Sequence, residues 1–152
     1  MSTKIFSIIG STYPLDRLTK ELDLLAEDKK YKIIAQIGES SYLPKNITYK
    51  KFFDSEEIKQ KMKWADVIVS HAGAGSIIDL LTANKKFVLF PRLKKFGEAV
   101  DDHQIELCKA FGKKYGIKYT ENEKELIELL KETTKPKIKK DSKLVNEIKK
   151  LV

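Results

Sequence analysis

A chain of 152 residues, 41% apolar and 34% charged, suits one domain that buries about 70% of its unfolded surface. No stretch approaches the ~20 consecutive apolar residues of a membrane span, and Met1-Ser2-Thr3-Lys4-Ile5-Phe6 enters a strand pattern without signal-peptide blocks. The lone cysteine, Cys108, excludes an internal disulfide and fits a reducing cytoplasm, and with only His71 and His103 beside it no metal-ligand spacing is present.

In chain order, Lys4–Gly10 predicts a buried strand, and the turn Ser11-Thr12-Tyr13-Pro14 follows. Leu15 to Asp28 carries Leu15, Leu18, Leu22 and Leu25 at helical spacing. Tyr31–Ile37 predicts a second strand, Gly38 to Pro44 a loop, and Ile47–Phe53 a third strand. Asp54 with Glu57 forms a capping box for a helix through Trp64. Asp66–Ser70 is a fourth strand, and a helix begins near Gly75. Phe87–Phe90 is a fifth strand, stopped by Pro91, and a long loop to Val100 leads into a helix ending near Tyr115. Ile117–Tyr119 is a short sixth strand, with Thr120 and Glu123 capping a helix through Lys131.

The tail, Lys131 to Val152, holds eight lysines against three acids within a net charge of +8. Such a tail can meet nucleic acid or an anionic membrane, or be a solvated face. Its lysines interleave with Ile138, Leu144, Val145, Ile148 and Leu151, an amphipathic helix that packs on the domain or on a partner. The division expected is a body over 1–132 and, over 133–152, a basic linker with Pro136 and a terminal helix.

Strands alternating with helices imply an α/β, Rossmann-like parallel sheet with helices on both faces. In such sheets ligands lie outside the carboxyl ends of the strands. Three polar segments fall there: Gly10–Tyr13, His71–Ser76 and Pro91–Gln104. The run Val67-Ile68-Val69-Ser70-His71-Ala72-Gly73-Ala74-Gly75-Ser76 has the build of a phosphate cradle. Gly73 and Gly75 leave no Cβ in a ligand's way, and the unpaired N–H groups at the helix start favour negative charge. The same turn also occurs for packing alone. Asp79, one turn on among apolar neighbours, could hold a ribose or simply face solvent. Asp101 or Asp102 could cap the next helix, Gln104 could pair with a sugar hydroxyl, and Arg92, Lys94 and Lys95 suit a diphosphate or an acidic lipid-linked acceptor.

Ile9-Gly10-Ser11-Thr12 with Leu15-Asp16-Arg17-Leu18, Ser70–Ser76, and Pro91–Glu98 with Asp101–Gln104 resemble the carboxyl-terminal, nucleotide-sugar-binding half of glycosyltransferase family 28. The match runs over about residues 4–120. The chain is similar to stand-alone catalytic subunits of two-part enzymes, including the lipid-linked N-acetylglucosaminyltransferases. Its third motif points more to the bacterial capsule and exopolysaccharide β-1,4-galactosyltransferases.

The resemblance implies half of a GT-B fold that binds UDP-sugar and inverts the anomeric centre with no metal or other cofactor. By position, the backbone near Phe52 and Phe53 would meet uracil and Asp79, where the family usually has glutamate, the ribose. Gly73, Ala74, Gly75 and Ser76 would hold the diphosphate, aided by Arg92. Asp102, His103 and Gln104 would lie at the donor sugar, and Gly10, Ser11 and Thr12 would line the cleft. His71 is a candidate general base, although a histidine closing a strand is more often structural. The base otherwise lies on a membrane-anchored subunit that presents a lipid-linked sugar acceptor and recruits the chain to the cytoplasmic face of a membrane. The other readings are a non-catalytic nucleotide-binding module and a nucleic-acid binder. The latter lacks aromatics beside the basic tail, so no nucleic-acid partner is expected.

Overall fold

The computed structural model describes residues 2–10, 13–137 and 146. Ser11 and Thr12, and most of the expected terminal helix, lie outside the described residues. Six parallel strands form one sheet: β1 (Thr3–Ile8), β2 (Tyr31–Gln36), β3 (Thr48–Lys50), β4 (Val67–Ser70), β5 (Phe87–Leu89) and β6 (Lys118–Tyr119). Their order is β3-β2-β1-β4-β5-β6. The helices are α1 (Asp16–Leu25), α2 (Ser55–Trp64), α3 (Ala74–Ala83), α4 (His103–Tyr115) and, after the last strand, α5 (Leu126–Glu132). The chain steps outward from β1 to β3, then returns to β4 and steps out the other way. The crevice is therefore set between the carboxyl ends of β1 and β4.

Strand alternation divides the core. Ile5, Ile33, Val67, Val69 and Val88 pack with Leu18 and Leu22 of α1 and Leu126 and Leu130 of α5. Phe6, Ile68, Phe87 and Leu89 face the other way, onto Met62 of α2, Ile77, Leu80 and Leu81 of α3, and Leu107, Cys108 and Phe111 of α4. Register keeps like faces together, with Ile5 opposite both Ile33 and Val67 and Phe6 opposite Ile68. Burial among these side chains pushes the Cys108 thiol up to about 12, so it is an inert core residue.

Several boundaries differ from the sequence expectation. α1 stops at Leu25, short of Asp28, and β3 is only three residues long, because three pairs align with Ile34–Gln36 of β2. The Asp54–Glu57 capping box is present. Ahead of α5 the cap differs: Asn122, not Glu123, accepts from Lys124 N–H, Thr120 donates to Glu125, and Glu123 pairs with Arg17. The loop after β5 is not structureless, since Lys94–Phe96 form a 3-10 turn. The start of the expected linker is also held: the Thr133 hydroxyl donates to the Phe87 carbonyl and Lys137 N–H to that of Tyr115.

Two charged side chains, Asp23 and Arg17, fix loops that join these elements. Asp23 of α1 accepts from the Tyr42 hydroxyl and from the N–H groups of Lys45 and Asn46, anchoring the connection into β3. Burial works to raise its pKa, but these hydrogen bonds outweigh it and hold the carboxyl below its usual value. Arg17 pairs bidentately with Glu98 at 3.0 Å for both contacts, and its guanidinium lies 4.4 Å from the Phe90 ring centre and 4.7 Å from that of Phe96. It also reaches Glu123 and the Glu121 carbonyl, so α1, the loop after β5 and the turn before α5 meet at one side chain.

Candidate functional site

The first turn of α3 carries neither a side-chain cap nor an acidic residue. Its opening N–H groups and the positive end of its dipole are left for something else to meet. The side chains of Ser76 and Asp79 from this helix border a cleft of about 180 Å³ together with Gly10 after β1 and Gln36 at the end of β2. Asp79 is exposed and Ser76 half-buried. A larger depression of about 440 Å³ lies at the opposite edge, by Thr3, Tyr31 and Asp66 at the amino ends of the strands. In a parallel sheet that is the face away from the ligand loops, so volume is not the guide here.

His71 directly follows β4 and is 8% exposed. Its Nε2 lies 3.0 Å from the Ser76 hydroxyl and its Nδ1 3.4 Å from the Gln104 amide nitrogen. Burial, with a smaller contribution from the Arg92 charge, lowers its pKa to about 4. At neutral pH the ring is uncharged with both nitrogens engaged, which is poor equipment for a general base. Two of the glycines serve this ring. A Cβ on Gly73 would come within 2.5 Å of its Cε1, and one on Gly10 within 2.8 Å. Gly75 alone in the turn opens on empty space. The missing Cβ of Gly73 makes room for imidazole, and that of Gly75 leaves the turn open.

Several other expected site residues have definite partners within the fold. Arg92 is 3% exposed and turned inward, donating to the carbonyls of Pro14 and Gly10. A guanidinium committed to two carbonyls braces the loop after β1. The Gln104 carbonyl oxygen is taken by the N–H groups of Ala72 and Arg92, so it ties the loops after β4 and β5 together. Asp102 accepts from Lys94 N–H, while Asp101 accepts from His103 N–H. His103 is exposed, its Nδ1 3.6 Å from the Glu106 carboxylate. Phe52 is 43% exposed. Phe53 packs edge-on against Phe6, and its N–H donates to Gln36. Ala74 contributes the first backbone of α3, and Ser11 and Thr12 are outside the described residues.

Sequence reasoning missed Gln36. Its amide nitrogen donates to the Ile9 carbonyl and its oxygen accepts from Phe53, joining the ends of β1 and β3 under the cleft. The available signal was a polar residue closing the apolar run Ile33-Ile34-Ala35. Arg17 and Glu98 belong to the motifs, but nothing local in the sequence links them. Among the described residues no cluster of three or more His, Cys, Asp or Glu side chains forms, and no helix is long and apolar enough to cross a membrane.

Residues 10–151 match the Glycosyltransferase family 28 C-terminal domain. The chain is 36% identical over 123 residues to the UDP-N-acetylglucosamine--N-acetylmuramyl-(pentapeptide) pyrophosphoryl-undecaprenol N-acetylglucosamine transferase of Clostridium botulinum, covering 78% of this chain and 33% of that protein. It is 34% identical over 102 residues to the UDP-N-acetylglucosamine transferase subunit ALG13 of Candida albicans, covering 66% of this chain and 32% of that one. The chain thus spans about a third of the length of these relatives. The solution structure of ALG13 superposes with a TM-score of 0.65 at 18% identity, over 97% of this chain and 94% of that one. MurG of Acinetobacter baumannii superposes with a TM-score of 0.59 at 23% identity, over 86% of this chain and 41% of that one. These two likenesses speak for the fold, and the match along the sequence for the lineage: the chain belongs to glycosyltransferase family 28, in the part that forms its C-terminal domain.

Proposed function

We propose that this chain is the UDP-sugar-binding, catalytic part of an inverting, metal-independent glycosyltransferase that acts on a lipid-linked sugar acceptor. The observation that carries the reading is the uncapped start of α3 at the β1–β4 crevice, with open space at Gly75 and the Asp79 carboxylate one turn on. Backbone N–H groups and the helix dipole there would take the diphosphate and stabilise the charge that builds on the leaving UDP. Asp79 would accept from the ribose hydroxyls. The relatives' names favour N-acetylglucosamine over galactose as the sugar, and one of them a pyrophosphoryl-undecaprenol acceptor.

Two features support a second component. A cleft of about 180 Å³ is smaller than the ~300–1,000 Å³ of an ordinary ligand pocket, so a facing surface would have to close over the nucleotide sugar. His71 is neutral and engaged at both nitrogens, so the base that activates the acceptor hydroxyl would come from that facing surface. A membrane-anchored partner on the cytoplasmic face that holds the acceptor fits both needs.

The test is calorimetry with UDP, UDP-N-acetylglucosamine, UDP-galactose and UDP-glucose, first with a chelator and then with magnesium. Binding of UDP and preference for one UDP-sugar, unchanged by magnesium, is the expected result. No binding, or binding only with magnesium, overturns the reading. Transfer to a lipid-linked sugar, with and without a candidate partner subunit, separates the catalytic reading from a nucleotide-binding module.

A further inference from the structure

The Gln104 amide sets the direction of a proton chain that ends in the cleft. Its Oε1 accepts two backbone N–H groups, from Ala72 and from Arg92, each at 3.0 Å. Turning the amide over would set its NH2 against both donors, so its orientation is decided by these partners. Nε2 therefore faces His71 Nδ1 as a donor, at 3.4 Å. A neutral imidazole that accepts at Nδ1 carries its hydrogen on Nε2, which lies 3.0 Å from the Ser76 hydroxyl oxygen. That oxygen accepts from His71, and the hydroxyl's own hydrogen must leave in another direction. Ser76 opens onto the cleft shared with Gly10, Gln36 and Asp79.

We infer that the Gln104–His71–Ser76 chain holds the Ser76 hydroxyl as a hydrogen-bond donor into the cleft, selecting ligand groups that offer only acceptor oxygens, such as a nucleoside diphosphate. His71 and Gln104 are then positioning residues for the diphosphate, acting through Ser76. The inference rests on the UDP-sugar reading above for the identity of the ligand, but the wiring itself does not. The ring is packed where it stands, since Gly10 and Gly73 approach its Cε1 too closely to admit a Cβ. Arg92, on the loop after β5, is the charged side chain acting on it, and with burial it keeps the ring neutral at physiological pH. A charged ring would donate from both nitrogens and clash with the Gln104 NH2. A ring with the opposite tautomer would ask Ser76 to donate backwards.

The experiment has two arms. The ring 15N resonances of His71 report the tautomer directly, with hydrogen on Nε2 expected. Hydrogen on Nδ1 in the unaltered protein overturns the inference, whatever the ligand. In the second arm, Gln104→Glu keeps an oxygen for the two backbone donors and replaces the amide donor with an acceptor. At about pH 9, where the imidazole is neutral, its hydrogen then moves to Nδ1, Nε2 becomes an acceptor, and the Ser76 hydroxyl turns back to it. UDP affinity is expected to fall about tenfold, the scale of one lost hydrogen bond to a charged group. Uridine, lacking the diphosphate, should bind as before, and in a Ser76→Ala background the Gln104→Glu change should have no further effect on UDP. Unchanged UDP affinity in Gln104→Glu, with its hydrogen on Nδ1, or an equal loss for uridine overturns the inference. If the unaltered protein binds neither UDP nor uridine, the nucleotide reading fails instead, while the 15N spectrum still judges the wiring.

Discussion

Substituting alanine at Gly73 and at Gly75 separates packing from ligand clearance within one turn. At Gly73 the backbone is no obstacle, because φ −76° and ψ 143° suit any residue. The obstacle is His71. The new Cβ would lie 2.5 Å from Cε1 and 3.2 Å from Nδ1, about 1 Å inside ordinary carbon–carbon contact. Gly10 crowds the same ring atom, so retreat breaks the contacts to Ser76 at 3.0 Å and Gln104 at 3.4 Å. Two hydrogen bonds at about 0.5–1.5 kcal/mol each, plus some overpacking, give a loss of about 2–4 kcal/mol. At Gly75 nothing lies within 4 Å of the added Cβ, and a helical alanine is favoured over glycine by up to about 1 kcal/mol. Gly75→Ala is therefore expected to leave stability equal or higher while reducing UDP affinity about tenfold or more. Urea unfolding and UDP calorimetry on both variants measure this. A Gly73→Ala protein within about 0.5 kcal/mol of the parent, with unshifted His71 ring resonances, would refute the packing argument. A Gly75→Ala protein with undiminished UDP affinity would remove the open space at Gly75 from the binding site.

Asp79→Asn removes the charged acceptor assigned to the ribose, and calorimetry should show UDP bound about tenfold more weakly with stability unchanged; equal affinity takes Asp79 out of the site. Arg17→Ala strands the buried Glu98 carboxylate and should cost about 3–5 kcal/mol in urea unfolding, with much of it recovered when Glu98→Gln is added. Additive losses in that cycle would mean the pair is not coupled. His71 makes stability depend on pH with a definite sign. Its folded pKa, about 4, lies below the unfolded value of 6.5, so the unfolded chain binds the extra proton between them. Stability is fully present above about pH 6.5 and falls by about 1.4 kcal/mol per pH unit towards about pH 4. A His71→Gln variant should lack that part of the slope; an identical acid profile in both proteins would contradict the burial of a neutral ring.

Periodicity and turn chemistry placed six strands and the helices between them, and the rule for open parallel sheets placed the functional loops at one edge. Those features depend on residues a few positions apart, so they are written locally: Leu18 and Leu22 on one helix face, Asp54 with Glu57 at a cap, the small-residue turn after Ser70. The family motifs were legible for the same reason, each being a short run at a strand end.

Which atom each motif residue engages was decided only in three dimensions. Arg92 bonds a carbonyl 82 positions away, Gln104 meets an imidazole 33 positions away, and Arg17 closes on a carboxylate 81 positions away. These pairings arise because the strand order sets β1 beside both β4 and β2 and brings the loops after β4 and β5 together. A sequence lists donors and acceptors along a line; folding chooses among them by desolvation, which forces each buried polar group to take whatever partner the neighbouring strand presents. That selection made Arg92 a brace for the first loop. It also made Gly73 the seat of a histidine.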